Sequence, residues 1–361
     1  MIRFTNVVKT YDNGTTAVAD LSFTAPTGKI TVLVGPSGCG KTTTLRMVNR
    51  LIEQSSGAIL LGDEDNAKMD TIRMRRKIGY VIQNAGLFPH QTVLDNVCAV
   101  PYLIGTDKQT ARIRAADLLE LVGLDREYAS RYPWQLSGGQ QQRVGVARAL
   151  AADPPFMLMD EPFSAVDPIV RKQLQSEFLR IQADLAKTII MVTHDIDEAL
   201  RLGDQIVVLK EGGILAQIGS PAEILANPAD RFVADFLGES RGYHALSFEH
   251  IASLAPQQTP VAQIGESVAA AEGAWIVACD ELGSPLGWTR VTAGAASGER
   301  LVLATTVSHG QGNYRELLDA ALASPNGQAI LVDDRGRYLG TLGSEVVVRG
   351  AVTSLEAERS A

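Results

Sequence analysis

The sequence has no apolar run long enough to cross a bilayer: stretches such as TIIMV and FMLM fall far short of the roughly 20 residues a spanning helix needs. Cysteine is scarce, and the three present (Cys39, Cys98 and Cys279) are an odd number in a 361-residue chain, which argues against a disulfide framework. Positive charge is in deficit, with 33 Lys and Arg against 41 Asp and Glu. A broad basic face for nucleic acid is therefore not expected. The opening residues MIRFTNVVKTYDNG lack the apolar region of a secretory signal. These absences lead to the expectation of a soluble, reduced, cytosolic chain. The remaining composition, 45% hydrophobic and 20% charged, is that of an ordinary globular protein with room for two or three domains. The short basic run RMRRK at 73–77 reads as a solvated helix face.

Against that plain background, KITVLVGPSGCGKTTTLRMVNRL runs from a buried strand at 30–34 through a glycine-rich loop into an amphipathic helix. Gly35, Gly40, Lys41 and Thr42 satisfy G-x-x-x-x-G-K-[ST], a pattern that chance would place in about one chain in a hundred of this length. In such a loop (Gly35, Pro36, Ser37, Gly38, Cys39, Gly40) backbone N–H groups crowd round the β- and γ-phosphates of a nucleotide. Lys41 adds a point charge, Thr42 offers a hydroxyl to Mg²⁺, and Thr43 closes the motif. Cys39 reads as a small filler, although a place just before a helix can depress a thiol's pKa.

Two further stretches fit a nucleotide site. PFMLMDEP is an apolar strand ending in Asp160, where a carboxylate can hold Mg²⁺ through water, and Glu161 beside it is placed to polarise an attacking water. TIIMVTHDIDEAL is another short strand, with His194 at its C-terminal end, the edge where open α/β sheets place ligands, and a helix starting near Asp197.

LSGGQQQRVGVARAL begins with a glycine turn before a helix expected from about Gln140 to Ala152, with Val144, Ala147 and Leu150 on one buried face. Its free N–H groups and helix dipole favour an anion, yet it carries no lysine. One chain already has a complete phosphate loop. The simplest use of a second, lysine-free site is to cap a γ-phosphate held by another copy.

Residues 1 to about 237 resemble the ATP-binding-cassette (ABC) ATPases: Walker A GPSGCGKTT, a glutamine loop at Gln83, the signature LSGGQ, Walker B FMLMDE, a D-loop SAVD ending at Asp167, and a switch histidine, His194. The resemblance implies an α/β fold, a RecA-like core with an antiparallel β part and a helical subdomain, and a head-to-tail pair of cassettes with two ATP molecules between them. It also implies the roles: Tyr11 stacking on adenine, Lys41 and Thr42 on phosphate and Mg²⁺, Gln83 sensing metal and water, and Glu161 as general base. His194 would hold γ-phosphate and water, while Ser137, Gly138, Gly139 and Gln140 would cap the partner's ATP, with Asp167 also at the nucleotide. The cassette is most similar to ATPase subunits of osmoprotectant importers, which carry glycine betaine, carnitine, choline or proline. That implies membrane permease subunits docked through residues 84–100, an extracytoplasmic substrate-binding protein, and a place on the inner face of the cell membrane. Val166 departs from the more usual leucine of the D-loop, a change of packing alone.

After a linker expected at 238–245, IVACDELGSPLGW and AILVDDRGRYLGT repeat at one offset, Asp280 on Asp333, Gly283 on Gly336, and Leu286-Gly287 on Leu339-Gly340. A repeat of this size is a duplicated supersecondary unit. Each copy reads as helix, strand, charged glycine turn and strand, similar to a cystathionine-β-synthase-type (CBS) pair over 246–355, with a tail at 356–361. Nucleotide-binding CBS motifs carry Ser or Thr and then Asp where this chain has Gly343 and Val346, which leaves a structural or dimer-forming role open beside adenosine sensing. Two other classes are weighed. A soluble cassette ATPase of DNA repair or translation would bring coiled coils, zinc modules or a second cassette, and none is visible. A binding module with vestigial ATPase activity conflicts with the intact Glu161 and His194.

Overall fold

The computed structural model describes residues 1–83, 85–164, 166–298 and 301–346. Ala165 of the D-loop and everything after residue 346, including the ends expected at 355 and 361, lie outside the described residues. The chain divides into two compact units, Met1–Phe236 and Leu237–Ala361.

In chain order the first unit runs β1 (Ile2–Thr10), β2 (Thr16–Ala25), β3 (Ile30–Val34), α1 (Lys41–Val48), β4 (Ser56–Leu61), β5 (Glu64–Asp65), α2 (Thr71–Arg76), β6 (Ile78–Val81), α3 (Val93–Leu103), α4 (Lys108–Leu121) and α5 (Gly138–Leu150). It continues with β7 (Phe156–Asp160), α6 (Pro168–Leu185), β8 (Thr188–Val192), α7 (Ile196–Leu202), β9 (Gln205–Lys210), β10 (Ile214–Gly219), α8 (Pro221–Ala226) and α9 (Arg231–Leu237). β2-β1-β4-β5 form an antiparallel sheet, and β10-β9-β3-β8-β7-β6 a second sheet in which only β10 is antiparallel. β3 and β8 are buried along their whole length, as the continuous apolar runs ITVLV and TIIMV require of strands covered on both faces. One core joins the two sheets through α1: Ile2, Phe4 and Phe23 from the first, Leu158, Ile190 and Val192 from the second, and Leu45, Met47 and Val48 between. Buried Asn66 donates from Nδ2 to Met47 O and Val48 O, satisfying carbonyls at the end of α1.

The helical part packs α3, α4 and α5 together. Val144, Ala147 and Leu150 are buried as expected, but α5 spans Gly138–Leu150 and not Gln140 to Ala152. Ser137 and Gln140 form a reciprocal cap that starts the helix at the glycines, and the chain leaves it ahead of Pro154-Pro155. RMRRK lies mostly on α2, whose arginines are exposed while Met74 is buried.

In the second unit, α10 (Arg241–Ala245) occupies most of the stretch expected as a linker. Its buried His244 meets Ser240 Oγ and Arg315 Nη1. Then follow β11 (Val261–Ala262), β12 (Trp275–Cys279), β13 (Pro285–Thr292), β14 (Ala295–Ala296), β15 (Val302–Leu303), β16 (Thr306–Ser308), α11 (Tyr314–Ala323), β17 (Gln328–Val332) and β18 (Tyr338–Gly343). The repeat holds at the level of hydrogen bonds. β12–β13 pairs Ala278 with Gly287 and Cys279 with Pro285, and β17–β18 pairs Leu331 with Gly340 and Val332 with Tyr338, with the register shift at the same place. The expected helix of the first copy is absent among the described residues. Residues 263–274, broken by Gly265 and Gly273 at positive φ, make a shorter connection to β12 than the 309–327 that hold α11 under its Asn313 cap. Val346 packs on the core formed by α11, β17 and β18, an apolar task that an aspartate there would not fill.

Candidate functional site: a nucleotide cassette

The parallel strands end on one edge, and the expected site residues follow those ends. Gly35 follows β3, Gln83 follows β6, Asp160 ends β7 and His194 follows β8. The phosphate loop is shaped from outside. A Cβ on Gly35 would lie 2.3 Å from Leu209 O, and one on Gly40 would lie 2.2 Å from Ala17 O, so neither position admits another residue. Lys41 is 7% exposed and donates from Nζ to Gly35 O (2.8 Å) and Pro36 O (2.9 Å). Cys39 is fully buried, and burial pushes its thiol pKa up despite nearby Lys41. The depressed, reactive thiol considered from its place before a helix is thus overturned by desolvation. Tyr11 is partly exposed, its Oη lying 3.4 Å from Thr43 Oγ1 beside the start of α1.

Thr42 Oγ1 donates to Asp160 Oδ1 at 3.0 Å, with Arg46 Nη2 4.0 Å from the other oxygen. Burial raises the Asp160 pKa, opposed by Thr42 and Arg46. A hydroxyl, a carboxylate and the Gln83 amide are hard oxygen donors of the kind Mg²⁺ takes, so the residues fit that ion.

Glu161 gathers a polar cluster. Its oxygens face Gln83 Nε2 (2.9 Å) and His194 Nδ1 (3.2 Å). Its backbone sits at φ 48, a costly conformation for a side chain of this kind, held by Glu161 N donating to Val192 O at the end of β8. That bond brings the residue after β7 against the residues after β8.

The signature turn is placed differently. No hydrogen bond or ion pair among the described residues joins Ser137–Gln140 to residues 35–43. Gln140 N donates to Ser137 Oγ (3.3 Å), and Gln140 Nε2 to Tyr128 Oη (3.2 Å), so the Gln140 side chain is committed to holding the turn. Gly138 is exposed, neither Gly138 nor Gly139 has positive φ, and a Cβ on Gly139 would meet Val166 Cγ1 at 3.5 Å and Val170 Cγ1 at 3.8 Å, ordinary contacts. The fold of a single chain does not demand a glycine at 139. Asp167 is exposed and its carbonyl accepts from Arg171 N at the start of α6.

Two arginines were missed in reading the sequence. Arg148 on α5 donates to Ala85 O (2.6 Å) and Gly86 O (2.8 Å), fixing the backbone just after Gln83. Arg171 donates to Val166 O. Their acceptors are main-chain carbonyls, invisible to any pattern of side chains.

A phosphate loop, a strand-end aspartate and a glutamate-histidine-glutamine cluster on one edge of a parallel sheet define a nucleotide-hydrolysing P-loop cassette. Residues 18–164 match the family model described as ABC transporter. The chain is 44% identical over 348 residues to the osmoprotectant import ATP-binding protein OsmV of Salmonella typhimurium, covering 92% of this chain and 90% of that one. It is 53% identical over 241 residues to the choline transport ATP-binding protein OpuBA of Bacillus subtilis, covering 67% of this chain and 63% of that relative, just under two thirds of its length. A solved dimeric post-hydrolysis state of the ATP-binding cassette MJ0796, bound to ADP and Pi, superposes with a TM-score of 0.56 at 31% identity over 61% of this chain and 99% of that one. The chain belongs to the ABC transporter family.

Proposed function

We propose that two copies of this chain bind two Mg·ATP head to tail and drive an importer for small quaternary-amine osmoprotectants such as glycine betaine, carnitine or choline. The observation that carries the shared-site reading is Gly139 at the N-terminus of α5, where a Cβ would meet only ordinary contacts with Val166 and Val170, so that the chain's own fold does not require a glycine there. The MJ0796 cassette forms a dimer, and the substrates named for OsmV and OpuBA support the class of solute. In this reading Lys41 leaves the loop carbonyls for phosphate, and Tyr11 lies against adenine. Thr42, Asp160 and Gln83 hold Mg²⁺, which supplies charge neutralisation at the phosphates. Glu161 takes a proton from water. Since both its oxygens are engaged, Gln83 or His194 must first turn away. His194 then faces the γ-phosphate, while Ser137 with Gly138 and Gly139 caps the partner's ATP.

Permease subunits dock through 84–100. A surface cavity of about 600 Å³ lies there, lined by Phe88, His90, Tyr102, Leu103 and Tyr132, with Phe88 44% and Leu103 75% exposed. Among the described residues no helix is long and apolar enough to cross a membrane. The cassette is held at the inner face by the permease, and a substrate-binding protein delivers solute from outside. No nucleic acid takes part. The second unit biases activity in response to salt and does not itself bind adenosine, since Gly343 and Val346 lack the needed hydroxyl and carboxylate.

The test is complementation. Mixing Lys41→Ala chains with Ser137→Arg chains makes heterodimers with one intact shared site, and ATPase activity is expected to return in part. Inactivity at every ratio, with heterodimers shown to form, would overturn the shared site.

A further inference from the structure

Each cassette serves two ATP molecules if the shared-site reading holds, one with its phosphate loop and one with its signature turn. A short route inside the chain connects the two. Val166 is buried, and its Cγ1 lies under Gly139 of the signature turn, 3.5 Å from where a Cβ would stand. Arg171 Nη2 donates to the carbonyl of that same Val166 at 3.0 Å. The guanidinium's Nη1 lies 3.8 Å from Asp195 Oδ2. Asp195 in turn accepts from Asp197 N (2.9 Å) and Glu198 N (3.2 Å), which caps α7 and fixes the backbone next to His194.

Arg171 has one more free valence. Its Nε is buried and has no hydrogen-bond partner among the described residues. Arg171 also lines a polar cavity of about 40 Å³ together with Glu161, Thr193, His194 and Glu198. A buried donor left unpaired is costly, so the guanidinium is held in place by its Val166 and Asp195 contacts against that cost. The cavity touches the Glu161–His194 pair directly.

We propose that Arg171 is the positioning residue that couples the signature turn to the hydrolytic cluster of the same chain, so that closure over one ATP sets His194 and Glu161 for the other. It acts through the carbonyl of Val166 on one side and the carboxylate of Asp195 on the other, and touches no nucleotide. The proposal rests on the shared-site reading above.

The experiment uses the full chain and steady-state hydrolysis across ATP concentrations, with Arg171→Met, Arg171→Lys and Asp195→Asn. Asparagine keeps the α7 cap while losing the charge. Arg171→Met is expected to lower kcat about ten-fold, to leave the KM for Mg·ATP within about two-fold, and to bring the Hill coefficient down to about 1. Asp195→Asn should fall in the same direction, and the double variant should be no worse than the poorer single one, the mark of two groups acting through one contact. Arg171→Lys, which reaches one partner but not both, should lie between. Should Arg171→Met fail to fold, Arg171→Lys and Asp195→Asn decide alone. A Hill coefficient unchanged from wild type in folded variants would overturn the coupling while leaving the shared site standing. A wild-type Hill coefficient of 1, together with failed complementation, would remove the shared site and the coupling with it.

Discussion

In the first unit Glu161 stands at φ 48 with both carboxylate oxygens facing side chains that follow two other strands. In the second unit, Asp280 and Asp333 fold onto their own turns. Asp280 Oδ1 accepts from Leu282 N and Ser284 N, Asp333 Oδ1 from Arg335 N and Arg337 N, with Gly283 and Gly336 supplying the positive φ. The first arrangement is strained, non-local and poorly suited to stability alone. The second is local and self-satisfied, a turn device that happens to be acidic. Acidic residues just after a strand therefore mean different things in the two units, and the partners decide which. The bonds of Glu161 come from distant elements and tie strand ends together, while Asp280 and Asp333, bonded within four residues, shape the chain.

Removing charge from each kind of carboxylate sharpens that contrast most. Glu161→Gln keeps the size of the side chain and should lower steady-state hydrolysis by about 10²- to 10⁴-fold, the range for losing a general base. ATP binding should persist, with an ATP-bound dimer visible by size-exclusion chromatography. Turnover at the wild-type rate would show that Glu161 is not the base.

Cutting between the units tests the same comparison at the level of domains. Since α10 carries His244 bonded to Arg315, the cut belongs after Gly238 and not inside 241–245. The shortened chain is expected to hydrolyse ATP within about two-fold of the full chain and to support transport, but to lose a salt response of about 5- to 150-fold. Transport assayed at low and high salt checks this, and an unchanged response would deny the second unit a regulatory part.

The smallest effect belongs to Asp333. Backbone N–H groups of Arg337 and Arg335, with the Arg337 side chain, hold its pKa below the ordinary aspartate value. The stabilisation is present above the unfolded value near 3.9 and is lost as pH falls through the lower folded value. Asp333→Asn should therefore lower the second unit's Tm slightly at neutral pH, and the gap should close below about pH 4 in thermal scans. A gap that widened in acid would contradict the turn's account.

Much of the first unit was legible because its parallel strands are unbroken apolar runs and its chemistry sits at their ends. The 30–34 and 188–192 strands were readable in ITVLV and TIIMV, and the convergence of Gln83, Glu161 and His194 follows from the register that sets Asp160 beside Val192. The start of α5 was misplaced because Gly138 and Gly139 are weak helix formers, although S-x-x-Q at Ser137 and Gln140 was a readable cap. Arg148 and Arg171 were hidden because their acceptors are carbonyls, and carbonyls leave no trace in sequence. In the second unit the two strand pairs were legible from one offset, while the missing first helix depended on connection length and on glycines at 265 and 273.

The crowding at the phosphate loop also bears on when the protein can first work during its synthesis. Gly40 is pressed against Ala17, made before it, but Gly35 is pressed against Leu209, made long after. The loop is cast between a strand that precedes it and one that follows it by most of the unit. A growing chain on the ribosome carries every residue of the loop once Thr43 is joined, yet half its mould is still missing. Nucleotide should first be held only when β9 has emerged and taken its place beside β3, so that the chain's first ligand arrives together with the closing of the sheet.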